Sequence, residues 1–274
     1  LSRDEAAAAD ILRAAASGNG RRANLEVVTV DVSRGIPTKY AFLMEGVKNR
    51  KLPCIVLRLP RRGPSVRAAG VWPLTAVNAR MLVDSPLRRA LSGRIVSGEA
   101  VVWVLLESGE RARDDAAADS LNAAFAEMKR RPAPIPGPER ASGGVHRPEP
   151  VFSMLRLSRA DAGESMLVSI LLRVEPDLED YPDEPMAFPV FGRGRALYTF
   201  VGGGISVRNI TGACRFLTGD CSCEVKDLNP GLDLLVAADW ERGIGEPWST
   251  DAVSPPLTGL PEIDGAWSAS AAIS

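Results

Sequence analysis

Histidine is almost missing: one residue, His146, in 274. It stands in "PAPIPGPERASGGVHRPEP", residues 132–150, a Pro/Gly-rich stretch that reads as a linker. Ser-His-Asp and Cys-His catalysis need a base held rigidly against its nucleophile, so this placement argues against both. Aromatic residues make up 5% and the formal net charge is -1, which gives no electrostatic reason to expect nucleic acid or an anionic membrane as partner. No apolar run approaches the ~20 residues that span a bilayer. No Gly-x-x-x-x-Gly-Lys-Ser/Thr run exists, and in "FGRGRALYTFVGGG" Leu197 stands where a dinucleotide fingerprint needs its third glycine. The acidic stretch "EPDLEDYPDEP", residues 175–185, lacks the alternating ligands and central glycine of a calcium loop and reads as a solvated extended segment. Cysteine is scarce too: Cys54, Cys214, Cys221 and Cys223 are too few for a disulfide-dense scaffold. No cofactor and no metal is expected.

What is present is material for a core. The chain is 45% apolar, enough for one large domain or two small ones. "RDEAAAADILRAAASG" is alanine-rich and predicts a helix stopped by Gly18 and Gly20. The β-branched run "NLEVVTVDV", residues 24–32, predicts a buried strand, and residues 39–48 a helix. "LPCIVLRL" and "VRAAGVW" predict a strand pair, followed by a helix with Thr75 as N-cap and Pro86 as its stop. "EAVVWVLLES", residues 99–108, predicts another strand. The helix after it carries acids in the first turn, bases in the last, and Ala117, Leu121, Phe125 and Met128 on one face.

Beyond residues 132–150, "VFSMLRLS" predicts a strand and "ESMLVSILLRV" a helix. "MAFPVFG" and "ALYTFVGG" predict an antiparallel pair turned at Gly192–Arg193–Gly194. Ser206 is placed to cap a closing helix that ends near Gly219, and "EVKDLNPGLDLLVAADW" adds strand material. The second stretch repeats the element order of the first. Leu74–Thr75–Ala76–Val77–Asn78 and Ile205–Ser206–Val207–Arg208–Asn209 echo each other after a strand pair in each, as duplication would leave them.

This order resembles a thioredoxin-like domain present twice, over residues 4–90 and 99–218. The resemblance implies an α/β fold of two three-layer thioredoxin-like domains, the first lacking its opening strand. The boundaries are 1–95, 96–240 with the internal linker 132–150, and a disordered Pro/Ser/Gly/Ala tail at 241–274. In that family the proline opening the third core strand is cis. Pro53 takes that place in the first copy, and Pro189 is its counterpart in the second. The family's Cys-x-x-Cys belongs just after the first core strand, where this sequence has Glu107–Ser108–Gly109–Glu110 and no sulfur. The whole chain also resembles uncharacterised bacterial proteins, a likeness that says nothing about activity.

The remaining chemistry lies in "TGDCSCEVKDLNPG" and in a few carboxylates. Cys214 falls with Val207, Ile210 and Leu217 on one helix face and reads as core filler. Cys221 and Cys223 lie two residues apart, about 6.6 Å on a regular strand, so a bond between them would be strained and easily reduced. A bond from Cys214 to either is the less strained, structural alternative. A metal clamp needs further ligands that only Cys214 or Cys54 could supply. Cys54, next to Pro53, reads as a small buried strand residue. Glu107 with Asp114 and Asp115 would make an acid–base pair only if brought together. Gly202 to Gly204, ahead of a helix, read as an anion cradle or a plain turn.

The expected function is a non-catalytic thioredoxin-like module that binds a protein or peptide near its cis-proline loops. The alternative is a thiol-disulfide oxidoreductase or redox sensor using Cys221 and Cys223. The sequence opens on Leu1 without a basic-then-apolar leader, so it reads as a mature chain or a fragment. Its compartment is left open, and a targeting segment ahead of Leu1 would make it extracytoplasmic.

Overall fold

The computed structural model describes residues 2–17, 23–38, 40, 47–59, 68–130, 149–218 and 231–240. The expected helix at 39–48 lies mostly outside them. Residues 132–148 of the linker, the tail, His146, Cys221 and Cys223 lie outside them.

Helix α1, Arg3–Ser17, opens with a reciprocal cap: Glu5 N donates to Ser2 Oγ (3.3 Å) and Ser2 N to Glu5 Oε2 (2.6 Å). Its buried Ala8 and Leu12 lie 4 apart, on one face. The helix packs beside α2, Ala76–Val83, whose first amide donates to Asp4 Oδ1 (3.3 Å). Thr75 Oγ1 caps α2 at Asn78 N (3.1 Å), as expected.

Pro86 does more than stop α2. Ser85 accepts from Arg88 N (3.3 Å), and Pro86 occupies the first turn of a further helix, α3, Pro86–Val96. A proline needs no amide partner there, so Ser-Pro both ends one helix and starts the next.

Strands β1, Cys54–Arg58, and β2, Ala68–Pro73, pair antiparallel as a two-stranded sheet. The strand expected at 24–32 does not form a ladder. Residues 25–31 carry no regular secondary structure, with Leu25 and Val27 packed on the core and Val28 exposed, and Val32–Arg34 is a short 3₁₀ turn capped by Asp31. Alternating burial is met here by lying on a core, without pairing.

The second sheet has the strand order β4-β3-β5-β6-β8, with β7 also on β5. Its members are β3 (Val101–Leu106), β4 (Phe152–Leu157), β5 (Met186–Phe191), β6 (Arg195–Ala196), β7 (Phe200–Val201) and β8 (Leu232–Asp233). β3 runs parallel to β4 and antiparallel to β5. The crossover between β3 and β4 contains α4, Arg111–Arg130, the one between β4 and β5 contains α5, Ser165–Leu171, and α6, Val207–Thr218, follows β7. The chain is thus mixed α/β.

All six β3 residues are buried, and they alternate between two cores. Val101, Trp103 and Leu105 face α4 and α6, with Leu121, Ala124, Ile210 and Cys214. Val102, Val104 and Leu106 face a larger cluster that joins α3, α5, Ile55 and Leu57 of β1, and Ala8 of α1. The buried side of the N-terminal elements is therefore covered by the sheet of the C-terminal half, and one core crosses the 95/96 boundary. Burying each such aliphatic side chain contributes about 1.5–3 kcal/mol.

Arg88 ties the same halves with polar bonds. Its Nε donates to Leu235 O (2.9 Å), and its Nη1 to Met81 O (3.1 Å) and Ser85 Oγ (3.2 Å).

Candidate functional site

The corner after β3 gathers a cluster of ion-paired side chains. Asp114, in the first turn of α4, is 3% exposed. Its Oδ1 accepts from Ser108 N (2.7 Å) and Ser108 Oγ (2.8 Å), and its Oδ2 from Gly109 N (3.0 Å). Ser108 Oγ accepts in turn from Glu110 N (3.0 Å). Gly109 has φ +97°, a left-handed backbone that lets this tight loop close. An internal carboxylate thus fills the place at the helix N-terminus where an anion or a thiolate would otherwise gain from the dipole.

Around this loop the surface is laced with ion pairs. Arg156 on β4 donates to Glu107 (2.5 Å) and Asp115 (2.8 Å). These hydrogen bonds raise the Arg156 guanidinium, and the bond from Arg156 holds the Asp115 carboxyl below its ordinary range. Arg113 pairs with Glu110 (2.6 Å) and Glu184 (2.9 Å). Arg159 donates to Glu107 O (3.0 Å) and Glu184 O (3.0 Å), and burial lowers its guanidinium. Glu107 and Asp115 do come together, but with an arginine between them and Asp114 turned inward. The Asp115 carboxyl, held below its ordinary range by Arg156, is a poor proton acceptor, so the three do not form the open pair that acid–base work needs.

The cysteines separate. Cys214 is fully buried on α6, free, and its thiol is pushed up to about 12 by burial. The Trp103 indole N–H beside it offsets that only in part and meets no hydrogen-bond partner of normal geometry. Cys54 is free and half-buried on β1, and burial raises its thiol as well. Neither thiol has the lowered pKa of a nucleophile. Cys221 and Cys223 lie outside the described residues, among which no group of three or more His, Cys, Asp or Glu could hold a metal.

The two prolines differ from each other. The Leu52–Pro53 peptide bond is cis, the one such bond among the described residues. Pro189 does not open a strand and is not cis: it is the fourth residue of β5, opposite Trp103, while Pro185 immediately precedes the strand. Its effect is on the ladder. β6 pairs with Val190 and Phe191, β7 with Met186 and Ala187, and the two residues between, Phe188 and Pro189, have no partner on that side. A proline offers no amide to a neighbouring strand, so the facing chain leaves the sheet over 197–199. The Thr199 amide released there donates to Glu175 Oε1 (2.6 Å). Burial raises the Glu175 carboxyl, partly offset by this hydrogen bond.

The glycines Gly202–Gly204 form a 3₁₀ turn, not an anion cradle. The Glu184 carboxylate packs over Gly202, where an added Cβ would come within 2.5 Å of Oε2. Ser206 Oγ accepts from Asn209 N (3.3 Å), and Asn209 Nδ2 donates to Gly204 O (3.0 Å), so α6 is capped from within.

The role of Asp114 leaves one sequence trace, a Ser-Gly loop with an acid in the first turn of the helix that follows. Arg88 and Glu164 leave none, because their partners lie far along the chain.

Comparison with protein-family models, curated proteins and solved structures finds no match. No helix among the described residues is long and apolar enough to cross a membrane.

Proposed function

We propose that this chain is a redox-silent, duplicated thioredoxin-like module that works by binding a protein or peptide. The observation that carries this is Asp114. It answers the amides of the β3–α4 corner with a buried carboxylate, where the family places its reactive dithiol. The strand order supports the resemblance: a parallel β3/β4 pair, an antiparallel β5 and β6, and α4 and α5 in the crossovers. In the first half the β1–β2 pair followed by α2 parallels β5, β6 and α6. Leu52, 49% exposed beside Pro53, offers an apolar contact for a peptide at that loop.

Insulin reduction by dithiothreitol tests the reading. The expected result is the same rate with and without the protein, and with its Cys221→Ser and Cys223→Ser variants. Acceleration by the unaltered protein that is lost in either variant would assign thiol-disulfide exchange to that pair and overturn the proposal.

A further inference from the structure

The oppositely charged pair at the junction of the halves is incompletely satisfied. Arg88 is 1% exposed and Glu164 3% exposed. Glu164 Oε1 accepts from Leu87 N (2.7 Å), which places its carboxylate at the first turn of α3, next to Arg88. Arg88 Nη2 and Glu164 Oε2, however, meet no hydrogen-bond partner. Both side chains reach the N-terminal end of α3, Glu164 at Leu87 N and the Arg88 guanidinium at Ser85 Oγ. Burial lowers the Arg88 guanidinium to about 10 and the Glu164 charge acts against that.

Leaving one bond of each buried charge unmade costs more than an ordinary hydrogen bond returns. What would complete both must accept from a guanidinium and donate to a carboxylate at once. A cation serves only Glu164 and an anion only Arg88. Water does both, and its small size suits a position sealed from solvent. The Ser85 hydroxyl accepts from Arg88 N (3.3 Å) and Nη1 (3.2 Å) and keeps its own proton for a third bond.

We infer that Arg88 and Glu164 enclose a binding site for one buried water molecule, accepting from Arg88 Nη2 and donating to Glu164 Oε2. The water completes the tie between α3, the start of α5 and the segment after β8. It belongs to the fold itself and does not depend on the function proposed above.

A high-resolution crystal structure of the full chain tests it. The expected result is one well-ordered peak within about 2.7–3.2 Å of both atoms, with an occupancy and displacement matching its neighbours. Direct contact between Nη2 and Oε2, either side chain turned to solvent, or no peak between them would each overturn the inference.

Discussion

Asp114 and Cys214 are buried groups of opposite character, and each makes a distinct prediction. Replacing Asp114 by alanine leaves the Ser108 and Gly109 amides without their acceptor. The expected loss is about 1–3 kcal/mol in thermal or denaturant unfolding, with Asp114→Asn, which keeps one acceptor oxygen, losing less. Cys214 has its thiol raised from 9.0 to about 12 by burial. Below about pH 9 it is neutral folded or unfolded, and its stabilising contribution is complete. Between about 9 and 12 the unfolded thiol ionises while the native one does not, so that contribution drains away as pH rises. Urea unfolding at about pH 8 and about pH 10.5 should therefore show the advantage of the unaltered protein over Cys214→Ala shrinking at the higher pH. A disulfide reagent should label Cys214 only after denaturation.

At the scale of elements, the break between β6 and β7 makes Glu175 a stand-in for a strand partner. Glu175→Leu strands the Thr199 amide and should cost about 1–3 kcal/mol, whereas Glu175→Gln keeps an acceptor oxygen. The Glu175 carboxyl is raised in the folded state, so its contribution is present below the ordinary carboxylate range and lost as pH rises through it. The Gln variant should therefore gain on the unaltered protein as pH rises through and above the ordinary carboxylate range, a comparison that chemical denaturation reads directly. Elements with local causes were legible in the chain. Thr75 announces α2, and the charge order of the helix after β3 announces α4. The closing helix was legible too, down to the buried position of Cys214. What failed needed distant partners. The run at 24–32 has every local mark of a strand but finds no edge to pair with. Pro189 looked like the start of a strand because its place within β5 depends on β3 opposite. The corner at 107–110 was recognised as lacking sulfur, but its carboxylate plug was not, since Asp114 reaches it only once the chain has turned into the helix.

At the scale of the molecule, the N-terminal elements and the β3 sheet close one core between them. Unfolding should then follow a single transition, coincident by far-ultraviolet and near-ultraviolet circular dichroism, the latter reporting Trp103 in one core and Trp72 and Trp240 against the other. Leu91→Ala, in the larger core, should lower that shared transition by about 2–5 kcal/mol without splitting it. A fragment of residues 96–240 alone would lose the part of the larger core that α1, β1 and α3 supply and should self-associate in size-exclusion chromatography. The ribbon from Val101 to Leu106 has a neighbouring strand along both edges and packed side chains above and below. Deuterium can reach its amides only when the entire molecule opens, so their exchange clocks the lifetime of the native state as a whole.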